Sequence, residues 1–209
     1  MLLIWPSYLL RAFEDFHNNM PSSLNSLKRG GYSGVLLTLF SACDGFAILH
    51  HRVTVPAEPP DCIMIFEIQF KHKPVLVVGV EPSDHIHSPS AREAADTQIQ
   101  SRINDLAGWL WLPCPMLLGI DRARFTAECP LPVFHAICAI GNRFCFYSKP
   151  RSGPIQPPQT PVHPAKGSTD TVPQERWSYD ILEIEGQQTF QDMVTEIKQA
   201  CEASDLKGC

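Results

Sequence analysis

Apolar spacing divides the chain into a short series of elements. Residues 8–16 predict a short helix, ended by Asn18, Asn19 and Pro21. Residues 22–31 are small and polar and read as a linker. Val35, Leu36, Leu39 and Phe40 then follow helical spacing, and Asp44-Gly45 marks a turn. Residues 46–55 predict a first strand. Two runs rich in Val, Ile and Phe come next, at 62–70 and 75–83, separated by Lys71, His72, Lys73 and Pro74. Such a pair predicts a hairpin. Met64, Phe66, Ile68 and Phe70 share one face of the first run, as do Leu76, Val78 and Val80 in the second. The opposite face carries Asp61, Glu67 and Gln69 on one strand and Gly79, Glu81 and Ser83 on the other.

Downstream, Ser90-Ala91-Arg92-Glu93 reads as a capping box opening a helix. Ile99, Ile103, Leu106 and Leu110 form its apolar stripe, bordered by Gln98 and Arg102. Residues 116–120 are a short strand candidate. Residues 133–140 and 143–147 flank Gly141-Asn142, a second hairpin signal. Residues 150–173 are proline-rich with few large apolar side chains, so a mobile surface loop is expected. A last helix carries Phe190, Met193, Val194, Ile197 and Cys201 on one face. The order predicts an α/β protein, a mixed sheet with a central hairpin flanked by helices. It divides into an N-terminal helix and linker (1–31), a core (32–149), the proline-rich loop (150–173) and a C-terminal extension with a docking helix (174–209).

Composition narrows the class. Of 209 residues, 44% are hydrophobic and 19% charged, which suits a globular domain with a sizeable core. A net charge of −5 gives no support to strong non-specific nucleic-acid binding, which needs a basic patch. None of the eight cysteines stands in a CxxC pair, and most fall in apolar runs. The apolar start of the chain lacks a preceding basic residue and is interrupted by Pro6, so it is a poor signal peptide. No apolar run approaches the roughly 20 residues that span a bilayer. The expectation is free thiols inside the cell, in cytoplasm or nucleus, with no membrane partner.

Candidate chemistry lies on the polar face of the hairpin. If cross-strand partners there sum to 144, Asp61 and Glu81 are diagonal neighbours, placed to share a divalent ion. Pro60-Asp61 before a strand, then a hairpin ending in PVLVVGVEP, resembles the core of the PD-(D/E)XK nuclease superfamily. More narrowly, the chain is similar to a group of proteins common in mushroom-forming fungi. Their third strand reads like PVLVVEVKP, and their next helix carries AD-x-Q-x-x-x-R. The helix pattern is matched by Ala95, Asp96, Gln98 and Arg102. LLGI at 117–120, RFCFY at 143–147 and ERWSYDIL at 175–182 also fit, so the similarity runs from about residue 32 to 201.

The resemblance implies a restriction-endonuclease-like core, a Mg²⁺ ion on acidic ligands, and nucleic acid as partner. The resemblance points to Asp61, Gln98 and Arg102 and the hairpin register adds Glu81, so Asp61, Glu81, Gln98 and Arg102 are the candidate catalytic residues, with Asp61 and Glu81 as metal ligands. Two positions depart from the pattern: the family's glutamate falls on Gly79 and its lysine on Glu81. The expectation is therefore an impaired nuclease serving as a binding or interaction module, with a Mg²⁺-dependent endonuclease as the alternative. Plainer readings stand beside these. Asp61 suits a turn, Glu81 a strand end, and Gln98 with Arg102 a solvated helix edge. His85 and His87 lack a fixed third ligand for a metal. Cys138 and Cys145 read as buried thiols beside the second hairpin turn. Arg122, Arg124, Arg143, Lys149 and Arg151 make either a phosphate-facing rim or a solvated edge.

Overall fold

A computed structural model describes residues 5–18, 31–55, 61–107, 129–158 and 170–206, without the side chains at 14–18, 52–55, 61–63 and 206. Helices α1 (Ser7–Asn18) and α2 (Gly31–Leu39) precede strands β1 (Phe46–Val55), β2 (Asp61–Phe70) and β3 (Lys73–Glu81). A 3-10 turn, Ser83–His87, leads into α3 (Pro89–Leu106). Strands β4 (Val133–Ile140), β5 (Arg143–Pro150) and β6 (Tyr179–Asp180) follow, and α4 (Ile184–Leu206) closes the fold. The strand candidate at 116–120, Leu110, Arg122 and Arg124 lie outside the described residues.

The six strands form one sheet in the order β1-β2-β3-β4-β5-β6. All neighbours are antiparallel except β3 and β4, which run parallel across the α3 crossover. A parallel pair needs such a crossover and is buried on both faces. Accordingly, every β3 residue after Lys73 is buried. The register gives each face its residues. Ile65, Glu67, Val77, Gly79, Ala136, Cys138, Cys145 and Tyr147 lie towards α3. Phe66, Ile68, Leu76, Val78, Ile137 and Phe144 lie on the opposite face. There α4 docks through Phe190, whose ring meets Phe144 edge-on at 5.6 Å. α2 joins that layer through Phe40 on Phe46 at 5.2 Å, and the segment before α1 through Trp5 on Phe190 at 6.3 Å. The mixed α/β sheet with helices on both faces agrees with the pattern of the sequence.

The local differences have physical causes. The β2–β3 partners from Met64–Val80 to Ile68–Leu76 do sum to 144, but the register shifts between Ile68 and Gln69, leaving Val75 unpaired. Pro74 has no N–H for a regular ladder, and the bulge accommodates it. The hairpin loop is consequently two residues, Lys71 and His72, rather than the four expected. Both have positive φ, 49° and 66°, the geometry of a type I′ turn built without glycine. His72 is exposed. His72→Gly should therefore raise stability by about 0.5–1 kcal/mol, read as a higher denaturant midpoint at unchanged slope, because left-handed backbone strains a residue with a Cβ.

The α3 cap is Ser88, not Ser90: its hydroxyl accepts from the Ala91 N–H at 3.3 Å. Pro89 takes the first helical position, where its missing N–H costs nothing, so the helix starts earlier than a capping box at Ser90 would place it. At the second hairpin Gly141 has φ 62°, and a Cβ there would lie 2.7 Å from the Ser83 Cβ. That close approach ties the β4–β5 turn to the end of β3. The proline-rich segment is anchored at both described ends. Ser148 and Gln156 exchange backbone hydrogen bonds at 2.8 Å, and Val172 is fully buried. Cys129, Cys138, Cys145 and Cys201 are buried free thiols, while Cys43 is exposed.

Candidate functional site

Strand alternation puts Gly79 and Glu81 on the α3 face, two residues apart at the end of β3. The Ser83–His87 turn folds straight back over that end. It brings His85 Nδ1 to 3.4 Å from Glu81 Oε2, and the carboxylate is almost fully buried at 3% exposure. Glu81 is therefore a buried, paired carboxylate rather than an open strand-end charge. It also lies near Cys138. That thiol is held well above the ordinary thiol range, first by hydrogen bonding with Cys145, then by burial and by the neighbouring negative charges, with Trp177 opposing.

Gly79 sits beneath α3, where a Cβ would lie 3.4 Å from Ile99 Cδ1. The space over Gly79, where the resemblance puts a glutamate, is thus occupied by an apolar side chain. Asp61 opens β2 opposite Val55 of β1, and its side chain lies outside the described residues. The β2–β3 ladder ends at Met64–Val80, short of Asp61 and Glu81, so no ladder pair joins them.

The two α3 candidates part company. Arg102 donates to Glu67 Oε2 at 2.9 Å, and Glu67 is 1% exposed. The same carboxylate accepts from Gln69 Nε2 at 2.7 Å and has His51 Nε2 at 3.4 Å. Arg102 is thus engaged in neutralising a buried glutamate on β2. Gln98 keeps a buried Oε1 with no hydrogen-bond partner among the described residues, an open acceptor on the same helix. Such an atom costs free energy unless something else satisfies it.

A divalent ion of the Mg²⁺ type needs several oxygen ligands in near-octahedral array. The described residues do not fit one: Gly79 has no ligand atom, and Glu81 is buried against His85. Among the described residues no group of three or more His, Cys, Asp or Glu side chains is placed to hold a metal. Of the candidate basic rim, Lys149 reaches Asn104 on α3, and burial lowers its pKa. Arg151 is directed towards the Cys129 carbonyl, and Arg143 is exposed. Among the described residues no helix is long and apolar enough to cross a membrane.

No protein-family model, no curated protein and no solved structure matches the chain.

Composition and spacing gave no sign of the polar network that locks the strand-poor segment 170–182 onto α3. Arg92 and Asp96, one helical turn apart, make two ion pairs of opposite polarity. Arg92 pairs with Asp170 and donates to the Val172 and Ile86 carbonyls. Asp96, fully buried, accepts from Arg176 at 2.6 Å, from the Tyr147 hydroxyl at 2.6 Å and from Gln100 at 2.9 Å. Burial, reinforced by neighbouring thiols and Asp96 itself, pushes the Tyr147 phenol far above its ordinary range, so it stays a donor. Asp96 belongs to the AD-x-Q pattern, yet its partners are the struts of the fold. The available signal was charge: Asp96 and Arg176 are ionisable residues inside otherwise matched motifs.

Proposed function

We propose that this chain is a catalytically impaired PD-(D/E)XK nuclease-like protein that acts inside the cell as a binding or interaction module. The observation that carries the reading is Glu81. It stands where the resemblance puts a lysine, it is 3% exposed, and His85 closes over it. Gly79, at the position of the second acidic ligand, has Ile99 above it. A positive charge beside the attacking water and a second carboxylate on the ion are both replaced, and catalysis by such a centre needs the ion held at a fixed geometry. The mixed sheet with its central hairpin and flanking helices supports a restriction-endonuclease-like core. Nucleic acid is the partner class that the resemblance implies. The alternative, a Mg²⁺-dependent endonuclease using Asp61 and Glu81, draws on the unpartnered Gln98 Oε1.

Restoring the pattern tests the reading. With room made over position 79 by Ile99→Ala, Gly79→Glu combined with Glu81→Lys should confer Mg²⁺-dependent nicking of supercoiled DNA, lost again on adding Asp61→Ala. A restored variant that folds, by circular dichroism and a cooperative melt, yet stays inert would count against the nuclease-like reading of this site.

A further inference from the structure

A second surface feature lies on the opposite face of the sheet from Gly79 and Glu81. β4, β5 and α4 line an open, shallow groove of about 510 Å³, a volume within the range of about 300–1,000 Å³ typical of small-ligand sites. Its floor is apolar and aromatic, from His135, Phe146 and Met193, and Pro157 forms part of the rim. The Ser148–Gln156 backbone bridge fixes that rim against β5. The α4 wall carries Asp192 and Glu196, one turn apart and both exposed. Asp192 accepts from Gln188 at 2.8 Å, and neither carboxylate has a cationic ion-pair partner among the described residues. Burial holds the His135 imidazole below its ordinary pKa, against the pull of Glu196, so at neutral pH it does not offset the two negative charges.

An aromatic floor beneath carboxylates that no cation neutralises among the described residues is complementary to one kind of occupant. From the groove formed by His135, Phe146, Met193, Asp192 and Glu196, we infer that the chain binds a small organic cation: an ammonium or guanidinium group on an apolar body. The charged head lies between Asp192 and Glu196, and the apolar body covers Phe146 and Met193, where a ring face also attracts a nearby cation. An anion is repelled by both carboxylates, and a neutral molecule gains only the floor.

Three probes with a common phenylethyl-type body separate these terms: phenethylamine, 2-phenylethanol and phenylacetate. Binding is followed in the full chain by methionine methyl NMR at neutral pH and low salt. Phenethylamine should shift the Met193 methyl while leaving Met64 unchanged, and should bind about two- to fivefold more tightly than 2-phenylethanol, the gain expected of an ion pair at an exposed site. Phenylacetate should not bind measurably. The surface double variant Asp192→Asn, Glu196→Gln should fold as the parent does and bring amine and alcohol to equal affinity. The inference is overturned if Met193 does not respond, if amine and alcohol bind alike to the parent, or if the preference for the amine survives in the double variant.

Discussion

Replacing Asp96 by alanine is expected to remove about 3–5 kcal/mol of stability, the cost of breaking a buried ion pair by deleting one partner. The carboxylate is fully buried and Arg176 nearly so, with side-chain exposures of 0% and 8%. Deletion leaves a buried guanidinium and the Tyr147 hydroxyl without their shared acceptor. For a domain of this size the melting temperature should fall by on the order of ten degrees. Arg176→Met alone should also be costly. The double variant Asp96→Ala, Arg176→Met should lose clearly less than the sum, because the second change removes the charge stranded by the first. Additive losses, or a loss below about 1 kcal/mol for Asp96→Ala, would show that segment 170–182 is not held to α3 through this pair.

The second large effect belongs to α4. Phe190 is fully buried, edge-on to Phe144 at 5.6 Å and to Trp5 at 6.3 Å. Phe144 in turn stacks on Tyr179 of β6 at 5.6 Å. One ring therefore joins α4, the sheet and the segment preceding α1. Phe190→Ala should cost about 3–5 kcal/mol, as expected for a phenylalanine removed from a packed core. Val194 and Ile197 continue the same buried face, so the helix is not expected to detach. A loss within about 0.5 kcal/mol, measured by denaturant titration, would mean that α4 lies against the sheet without contributing to its core.

Regular periodicity made much of this fold legible. β1 covers residues 46–55, expected as a strand from the β-formers at its end, and the Gly141-Asn142 signal marks the observed turn between β4 and β5. Ile99, Ile103 and Leu106 bury the stripe of α3, and Phe190, Val194, Ile197 and Cys201 that of α4. What escaped was non-periodic or distant. The Lys71-His72 turn carries none of the glycine or asparagine that advertises positive φ, so its two-residue length leaves no mark in the sequence. Ser88 caps α3 because the proline after it suits the first helical position, a cue outweighed by the more conspicuous Ser90–Glu93 spacing. The pairing of Asp96 with Arg176 spans 80 positions, and such a contact leaves no local pattern.

The candidate site divides in the same way. That Gly79 and Glu81 depart from the pattern the hairpin resembles is visible in the residues themselves. That His85 folds over Glu81 depends on the 3-10 turn after β3, and that Arg102 turns to Glu67 depends on the docking of α3 against β2. Gln98 and Arg102, one turn apart, look equivalent in sequence, but Arg102 is tied to Glu67, whereas Gln98 Oε1 has no partner among the described residues.

Incubating the protein with supercoiled and single-stranded DNA in Mg²⁺ or Mn²⁺, beside an Asp61→Ala control, tests the central claim most directly. An impaired centre predicts no nicking or degradation above that of the control in either metal. Cleavage by the parent that disappears in Asp61→Ala would contradict the account and would make Glu81, despite its burial against His85, a working metal ligand.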